Sequence, residues 1–409
     1  MSLELNEAVF FTGIDWAAET HAVCVMDPAG KIVAQFTICH SADGIAGLLR
    51  RLARYGDSAG MQVAIERPNG RLAGLLLEAG HPVVPVKPNA IKAWRDGEVL
   101  SGAGDAAVIA EYLRLRQHKL TVAVPYSGQT RALRTVVRTR GDLVDARVAA
   151  TNQLAALLEA HWPGAAAVFA DVESPISLAF LSRYPTPASA CHLGEKRMAA
   201  FCVKHGYSGR RTAAELLERL RGAPSGATSE ALTEALHDAV LALAAVLAAL
   251  NASVKALDRS AAAHLGEHPD GAIFTSLPRS GQINAAQMLA EWGDCRQAYA
   301  GPDSVAALAG CTPVTRESGK HRAVSFRWAC NKRFRAAVTT FAGNSRHASP
   351  WAAQIYAGAI ASGKDRPHAV RILARAWIRV IYRCWLDEVP YDPALHGAAS
   401  HLALPARAA

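Results

Sequence analysis

No two of the chain's eight cysteines stand in a CxxC pair. Cys24, Cys39, Cys191, Cys202, Cys295, Cys311, Cys330 and Cys384 are scattered instead. That excludes a zinc ribbon and a redox dithiol, and leaves buried or incidental thiols in a reducing compartment. The GxGxxG and GxxxxGKS/T loops are missing too, which removes the two common glycine-rich phosphate cradles. No GxSxG elbow marks a serine hydrolase. The opening MSLELNEAVF lacks a basic region followed by an apolar one, so no secretory signal is expected. The most apolar stretch, ALTEALHDAVLALAAVLAALNASVKAL, is interrupted by His237 and Asp238. Its uninterrupted core of about a dozen residues is shorter than the roughly 20 that span a bilayer, so a long packed helix and no membrane partner are expected.

What remains is a folding chain of 409 residues, 51% hydrophobic and 19% charged, long enough for two or three domains. Lys and Arg number 44 against 35 Asp and Glu, a net charge of +9 that is compatible with a polyanionic partner.

VFFTGIDWA reads as a strand, and AETHAVCVMDPAGKIV as two more around a turn at Asp27-Pro28-Ala29-Gly30. Ser41 is placed to cap a helix with an Ile45, Leu48, Leu49, Leu52 stripe. MQVAIERPNG is a strand ending in a charge. A helix from Arg71 closes at Gly80, HPVVPVKP is a short strand stopped by Pro88, and Asp105 to Arg116 is helical. A hairpin followed by alternating helices and strands predicts an α/β domain over residues 9–125. Residues 126–263 hold two long helical patterns separated by a smaller proline-broken insert, which reads either as an arm with an oligomerisation surface or as an internal bundle. In the first of these helices Arg131, Arg134, Arg138 and Arg140 form a basic flank. Residues 264–390 read as a small, mainly helical domain, and residues 391–409 as a flexible tail. In LPRSGQINAAQMLAE, a turn carrying Arg279 and Gln282 reads equally as a weakened phosphate-contacting helix hairpin or as an ordinary connection.

From Arg316 the chain carries Arg316, Lys320, Arg322, Arg327, Lys332, Arg333, Arg335 and Arg346 against one acid, Glu317, with Phe326, Trp328 and Phe334 interleaved. This is its strongest phosphate-backbone footprint, although a solvated basic face has the same composition. Metal-dependent phosphodiester cleavage needs oxygens converging from several elements. Asp15 and Glu66 each end a strand and Asp105 opens a helix, all suitable positions for such ligands. Each also has a plain alternative: solvation for Asp15, pairing with Arg67 for Glu66, helix capping for Asp105. Glu19 and His21 lie near Asp15 in sequence, where a strand start would let either approach the site, and a surface position is the expectation for both. His81 is read as structural. Ser318, beside Gly319 and several cations, reads as a phosphate contact or turn cap, or as a nucleophile on phosphorus.

FTGIDWAAETHAVCVMD, MQVAIERPNG, VVPVKP and DAAVIAEYL resemble the amino-terminal RuvC-like domain of a bacterial insertion-sequence transposase family, the IS-one-ten family. TSLPRSGQINAAQMLAEWGD and VAALAGCTPVTRESGKHRAVSFRWACNKRFRAA resemble its carboxy-terminal domain, in the same order. The resemblance implies an α/β RNase H-like fold joined by long helices to a small helical domain. It also implies an Asp-Glu-Asp-Asp tetrad holding Mg²⁺ or Mn²⁺ and a serine that covalently holds a DNA phosphate. Asp15, Glu66 and the last Asp, Asp105, match that tetrad, and Ser318 matches the serine. The implied activity is DNA cleavage and strand exchange of a mobile element, similar to the invertase-type recombinases. The implied partners are DNA, a structured guide RNA and further copies of the chain, as a dimer or tetramer, in the cytoplasm at the nucleoid. Three departures stand out. Gly102 occupies the place of the third carboxylate, with Asp96 and Glu98 nearby but out of register. LPRSG departs from a glycine-led turn, and Cys330 replaces a glycine before Asn331. Loss of one ligand severely damages a two-metal site. The alternative reading is therefore a catalytically impaired relative that binds nucleic acid.

Overall fold

The computed structural model describes residues 10–66, 70–97, 104–224, 229–318 and 321–394. Gly102, Glu98, Arg67, Gly319, Lys320 and most of the expected tail lie outside the described residues. The chain divides into two compact units. One runs up to Ser127 and includes Asp294–Ser304; the other comprises Gly128–Gly293 and the chain from Val305.

The first unit is built on a five-stranded sheet. β1 (Phe10–Trp16), β2 (Thr20–Met26) and β3 (Ile32–Cys39) form an antiparallel meander, followed by α1 (Ala42–Leu52). β4 (Met61–Ile65), α2 (Arg71–Glu78) and β5 (Val83–Pro85) continue it, and β4 and β5 run parallel to β1. The strand order is β3-β2-β1-β4-β5, the mixed sheet of an RNase H-like, RuvC-like core. The β2–β3 turn forms where expected: Gly30 takes a φ of 91°, and the Asp27 carboxylate accepts from the Lys31 amide at 2.9 Å. Ser41 caps α1 by accepting from the Gly44 amide at 3.1 Å. Ile45, Leu48 and Leu52 of α1 and Leu72 and Leu76 of α2 pack with Ile14, Val23 and Ile65 on one sheet face. Each such buried leucine contributes about 1.5–3 kcal/mol. α3 (Pro88–Gly97), absent from the sequence reading, starts on the proline that was read only as a strand stop. Proline's fixed φ suits a first helical turn, and β5 has already ended three residues earlier at Pro85.

α4 (Asp105–Arg116) covers the opposite face, burying Val108, Ile109 and Leu113 against Phe11, Ala64 and Val84. Its seat on β1 depends on Gly13: a Cβ there would lie 2.1 Å from the Ala106 carbonyl oxygen and 2.5 Å from the Ala110 nitrogen. Backbone contact this close is open only to glycine.

The second unit is helical apart from one ribbon. α5 (Gly128–His161) is followed by a short-helix insert: α6 (Pro163–Val168), α7 (Pro175–Arg183), α8 (Pro187–Ala190), α9 (Glu195–Lys204) and α10 (Ala213–Gly222). α11 (Glu230–Glu267) runs along α5, and its Leu236, Val240, Ala244 and Leu247 join Leu154, Leu158, Phe180 and Phe201 in one core. By length and composition α11 could cross a membrane, since it holds an 18-residue window of mean hydropathy 2.0, more than the dozen apolar residues counted in the sequence. Of that window 22% is buried, along a stripe that includes Val240, Ala244 and Leu247. α12 (Gly271–Thr275) and α13 (Gln282–Trp292) flank the turn bearing Arg279 and Gly281, both with a φ of 58°. After α14 (Pro302–Leu308), β6 (Val314–Ser318) and β7 (His321–Ser325) pair as an antiparallel ribbon. α15 (Lys332–Ser345), α16 (Pro350–Ala361) and α17 (Arg366–Leu386) close the unit around Trp292, Phe334, Phe341, Trp377 and Trp385.

Candidate active site and nucleic-acid interface

Ile14 on β1 pairs in parallel register with Ile65 on β4, so Asp15 and Glu66 follow side by side at adjacent strand ends. Side chains alternate along a strand, which places both acids on the face of Gly13 and Ala64, the face covered by α4. Because Gly13 lets α4 sit directly on β1, Asp105 enters at the same edge. Electrostatics bears this out. Burial raises the pKa of Asp15 and the charge of Asp105 raises it further. Glu66 is raised by burial first, then by Asp15 and Asp105. The charge of Asp105 thus reaches both Asp15 and Glu66, which places acids from three elements in one field.

They do not close into a ligand set. Among the described residues, no group of three or more His, Cys, Asp or Glu is placed to hold a metal ion. Asp105 is engaged elsewhere: Arg95 on α3 donates Nη1 to Oδ1 at 2.9 Å. Nor does Asp105 cap α4. The cap position is Gly104, and the carboxylate occupies the first turn, where the helix dipole favours negative charge. Oxygen ligands on one face suit Mg²⁺ in kind. As arranged, with Asp105 held by a guanidinium and glycine at 102, they do not fit a two-metal centre.

His21, expected at the surface, is fully buried. It lies opposite Trp16 on the sheet face away from Asp15 and bonds through Nε2 to His40 Nδ1 at 2.8 Å. Burial, then the neighbouring His40, lowers its pKa. Glu19 is exposed. His81 is buried, with Nδ1 3.4 Å from the Met61 carbonyl oxygen.

In the second unit Ser318 ends β6 and pairs with His321 across the ribbon tip, while Arg322 lies opposite Glu317. The side chains of Ser318 and Arg322 are outside the described part. Arg316 and Lys332 are exposed. Arg327, Arg333 and Arg335 bind the fold itself. Arg327 Nε donates to the Thr312 carbonyl at 3.1 Å. Arg333 pairs with Asp142 at 2.7 Å and donates to the Arg138 carbonyl. Arg335 donates to the Arg327 carbonyl and lies 2.6 Å from Cys330 Sγ.

Three of the four arginines of the α5 flank likewise bind within the fold, while Arg131 is exposed. Arg138 forms a bidentate pair with Glu291 on α13 at 2.7 and 2.8 Å, joined by Arg134 at 3.3 Å, and Arg140 pairs with Asp258 at 2.6 Å. Asn331 donates to Glu291 at 2.7 Å while capping α15 by accepting from the Phe334 amide. Burial pushes the Glu291 carboxyl up, but hydrogen bonds from Arg138 and Asn331 and the charges of Arg134 and Arg138 outweigh it, and its pKa falls. Sequence reasoning passed over Glu291. A lone acid in QMLAEW, inside an otherwise apolar helix face, was the available signal.

A sheet of this order, with acids at its central strand ends, is the core of a protein of the RNase H-like class. A family model described as "Transposase", of the DEDD type, matches residues 12–163, and one described as "Transposase IS116/IS110/IS902 family" matches residues 271–357. The chain is 31% identical over 395 residues to the mini-circle putative transposase for IS117 of Streptomyces coelicolor, covering 93% of this chain and 95% of that one. It is 26% identical over 399 residues to the insertion element IS900 uncharacterized 42 kDa protein of Mycobacterium paratuberculosis, covering 95% and 99%. The chain belongs to the IS110 family of transposases.

Proposed function

We propose that this chain acts on DNA as an IS110-family protein that assembles on nucleic acid, with strand cleavage impaired by an incomplete carboxylate set. The observation carrying this reading is the Arg95–Asp105 ion pair, which gives the last family carboxylate a protein cation as partner. The glycine at position 102 supports it. In this reading Arg316, Lys320, Arg322, Arg327, Lys332, Arg333 and Arg335 belong to the nucleic-acid face, directly or by bracing it. The partners are element DNA and a structured RNA, bound by an oligomer of the chain at the nucleoid. The boundaries 9–125, 126–263 and 264–390 are its working domains, followed by a tail at 391–409.

A second reading, an active recombinase, is favoured by the raised pKa values of Asp15 and Glu66 beside Asp105. Mutual repulsion of that kind is what a divalent cation relieves. Asp15, Glu66 and Asp105 would then hold Mg²⁺ or Mn²⁺, which would supply Lewis-acid stabilisation of a phosphodiester, and Ser318 would attack the DNA phosphate.

A strand-transfer assay with the element's flanking DNA and candidate RNA, with and without Mg²⁺, separates the two. Salt-sensitive binding without a covalent protein–DNA product is expected. Mg²⁺-dependent cleavage abolished by Asp105→Ala or Ser318→Ala would establish the active enzyme instead.

A further inference from the structure

Trp328 leaves 77% of its surface in solvent on the segment after β7, and Val324 on the ribbon is 62% exposed. An indole is among the most favourable side chains to bury, so one left outside forgoes a large gain. The segment that carries it is nonetheless braced. Phe326 packs edge-on against Trp328, centroids 4.9 Å apart. The Phe326 ring meets the guanidinium of Arg335 at 4.4 Å and that of Arg371 at 4.9 Å. Arg335 also reaches the Arg327 carbonyl and Cys330 Sγ, tying residues on both sides of Trp328 to α15. Gly310, with a φ of 64°, makes room for it: a Cβ there would lie 2.5 Å from Arg335 Nη2. The indole is therefore carried on a segment held by Phe326 and Arg335. Its charge setting is positive, with exposed Arg316 across the ribbon from Ala323 and exposed Lys332 four residues beyond the indole.

A flat exposed aromatic ring on a segment flanked by exposed cations matches a nucleobase attached to phosphates. Every base offers a π-face, but in a duplex that face is already stacked. We propose that Trp328 is a stacking platform for one unpaired nucleobase of single-stranded DNA or RNA, with Arg316 and Lys332 on the flanking phosphates. The proposal rests on the nucleic-acid reading above and adds the strand state and the chemical group recognised.

Fluorescence anisotropy with the full chain tests it, using labelled oligothymidylate, oligouridylate, a matched duplex, and a single strand of equal length with abasic sites. Trp328→Ala should weaken single-strand binding by roughly 5- to 150-fold. It should leave duplex and abasic-strand affinities unchanged, and Trp328→Phe should retain most of the binding. The thymidylate and uridylate arms tell whether DNA or RNA supplies the base. Equal losses on base-bearing and abasic strands, or no loss by Trp328→Ala, overturn the stacking role alone. No binding of any nucleic acid by the unaltered chain overturns the underlying reading as well. Unchanged single-strand affinity with altered sedimentation assigns the indole to contact with a second copy and overturns the proposal. Matching circular dichroism melts of the variants exclude misfolding as the cause of a loss.

Discussion

The guanidinium of Arg95 holds the carboxylate of Asp105 at 2.9 Å, one helix reaching across to the first turn of the next. Both side chains are about half exposed, 47% and 52%, so the pair adds little to stability, about 0–1 kcal/mol. Its consequence is occupancy: the acid that would complete a metal set is already neutralised. Arg95→Gln should leave the unfolding midpoint nearly unchanged while increasing Mn²⁺ binding read by electron paramagnetic resonance. Equal Mn²⁺ binding by both proteins would show that Arg95 does not compete for Asp105.

Position 102 gives a complementary test. If a missing carboxylate limits cleavage, Gly102→Asp should raise Mg²⁺-dependent nicking of element DNA above that of the unaltered chain, most clearly combined with Arg95→Gln. Losing one ligand from a two-metal site removes most activity, so the gain should exceed tenfold by order of magnitude. Nicking by the unaltered chain at the level of the double variant would overturn the impaired reading.

Asp15 and Glu66 have folded-state pKa values above their ordinary 3.8 and 4.5. Between ordinary and raised values the folded state binds more protons than the unfolded one, so stability falls as pH rises through that window. Above it, the cost of ionising both acids is fully present. Asp15→Asn and Glu66→Gln should therefore each raise the melting temperature at pH 7, and the gain should fade as pH drops through the ordinary values and vanish below about pH 3, where both states are protonated. A gain that persists in acid would indicate a packing effect instead of relieved charge.

The meander, the α1 stripe and its Ser41 cap, and the lengths of α5 and α11 were legible because each depends on local periodicity and turn chemistry. Asp15, Glu66 and Asp105 were legible as strand-end and helix-start acids, but their coupling was not, because it comes from strand register and from the absent Cβ of Gly13. How the basic segments are used was not legible, for a related reason. Charge density counts cations without showing which face inward, and Arg134, Arg138, Arg140, Arg333 and Arg335 all find partners within the chain. His21 was misplaced because strand alternation puts it on the covered face opposite Asp15.

Glu291 makes the inward network testable. Only 2% exposed, it joins α13 to α5 through Arg134 and Arg138 and to the cap of α15 through Asn331. Removing one partner of a buried ion pair strands the other charges, at a cost of about 3–5 kcal/mol. Glu291→Ala should shift urea unfolding by that amount, and Asn331→Ala by about 1–3 kcal/mol through the lost cap and the unpaired carboxylate oxygen. A Glu291→Ala loss below about 1 kcal/mol would mean that water replaces the carboxylate cheaply and that the pair is not buried in solution.

Gly13 is the last and sharpest test, since it links sheet packing to the acid edge. A methyl group at this position would meet the Ala106 carbonyl oxygen at 2.1 Å, so α4 must lift off β1 or the strand must shift. Overpacking of this kind costs about 1–3 kcal/mol or more, because the clash is with backbone and no rotamer relieves it. Moving α4 also moves Asp105 away from Asp15, which removes part of the repulsion. Gly13→Ala should thus lower the melting temperature while making Asp15→Asn less stabilising than it is in the unaltered chain. Additive effects of the two substitutions in a double-mutant cycle would show that the helix seat and the acid edge are independent.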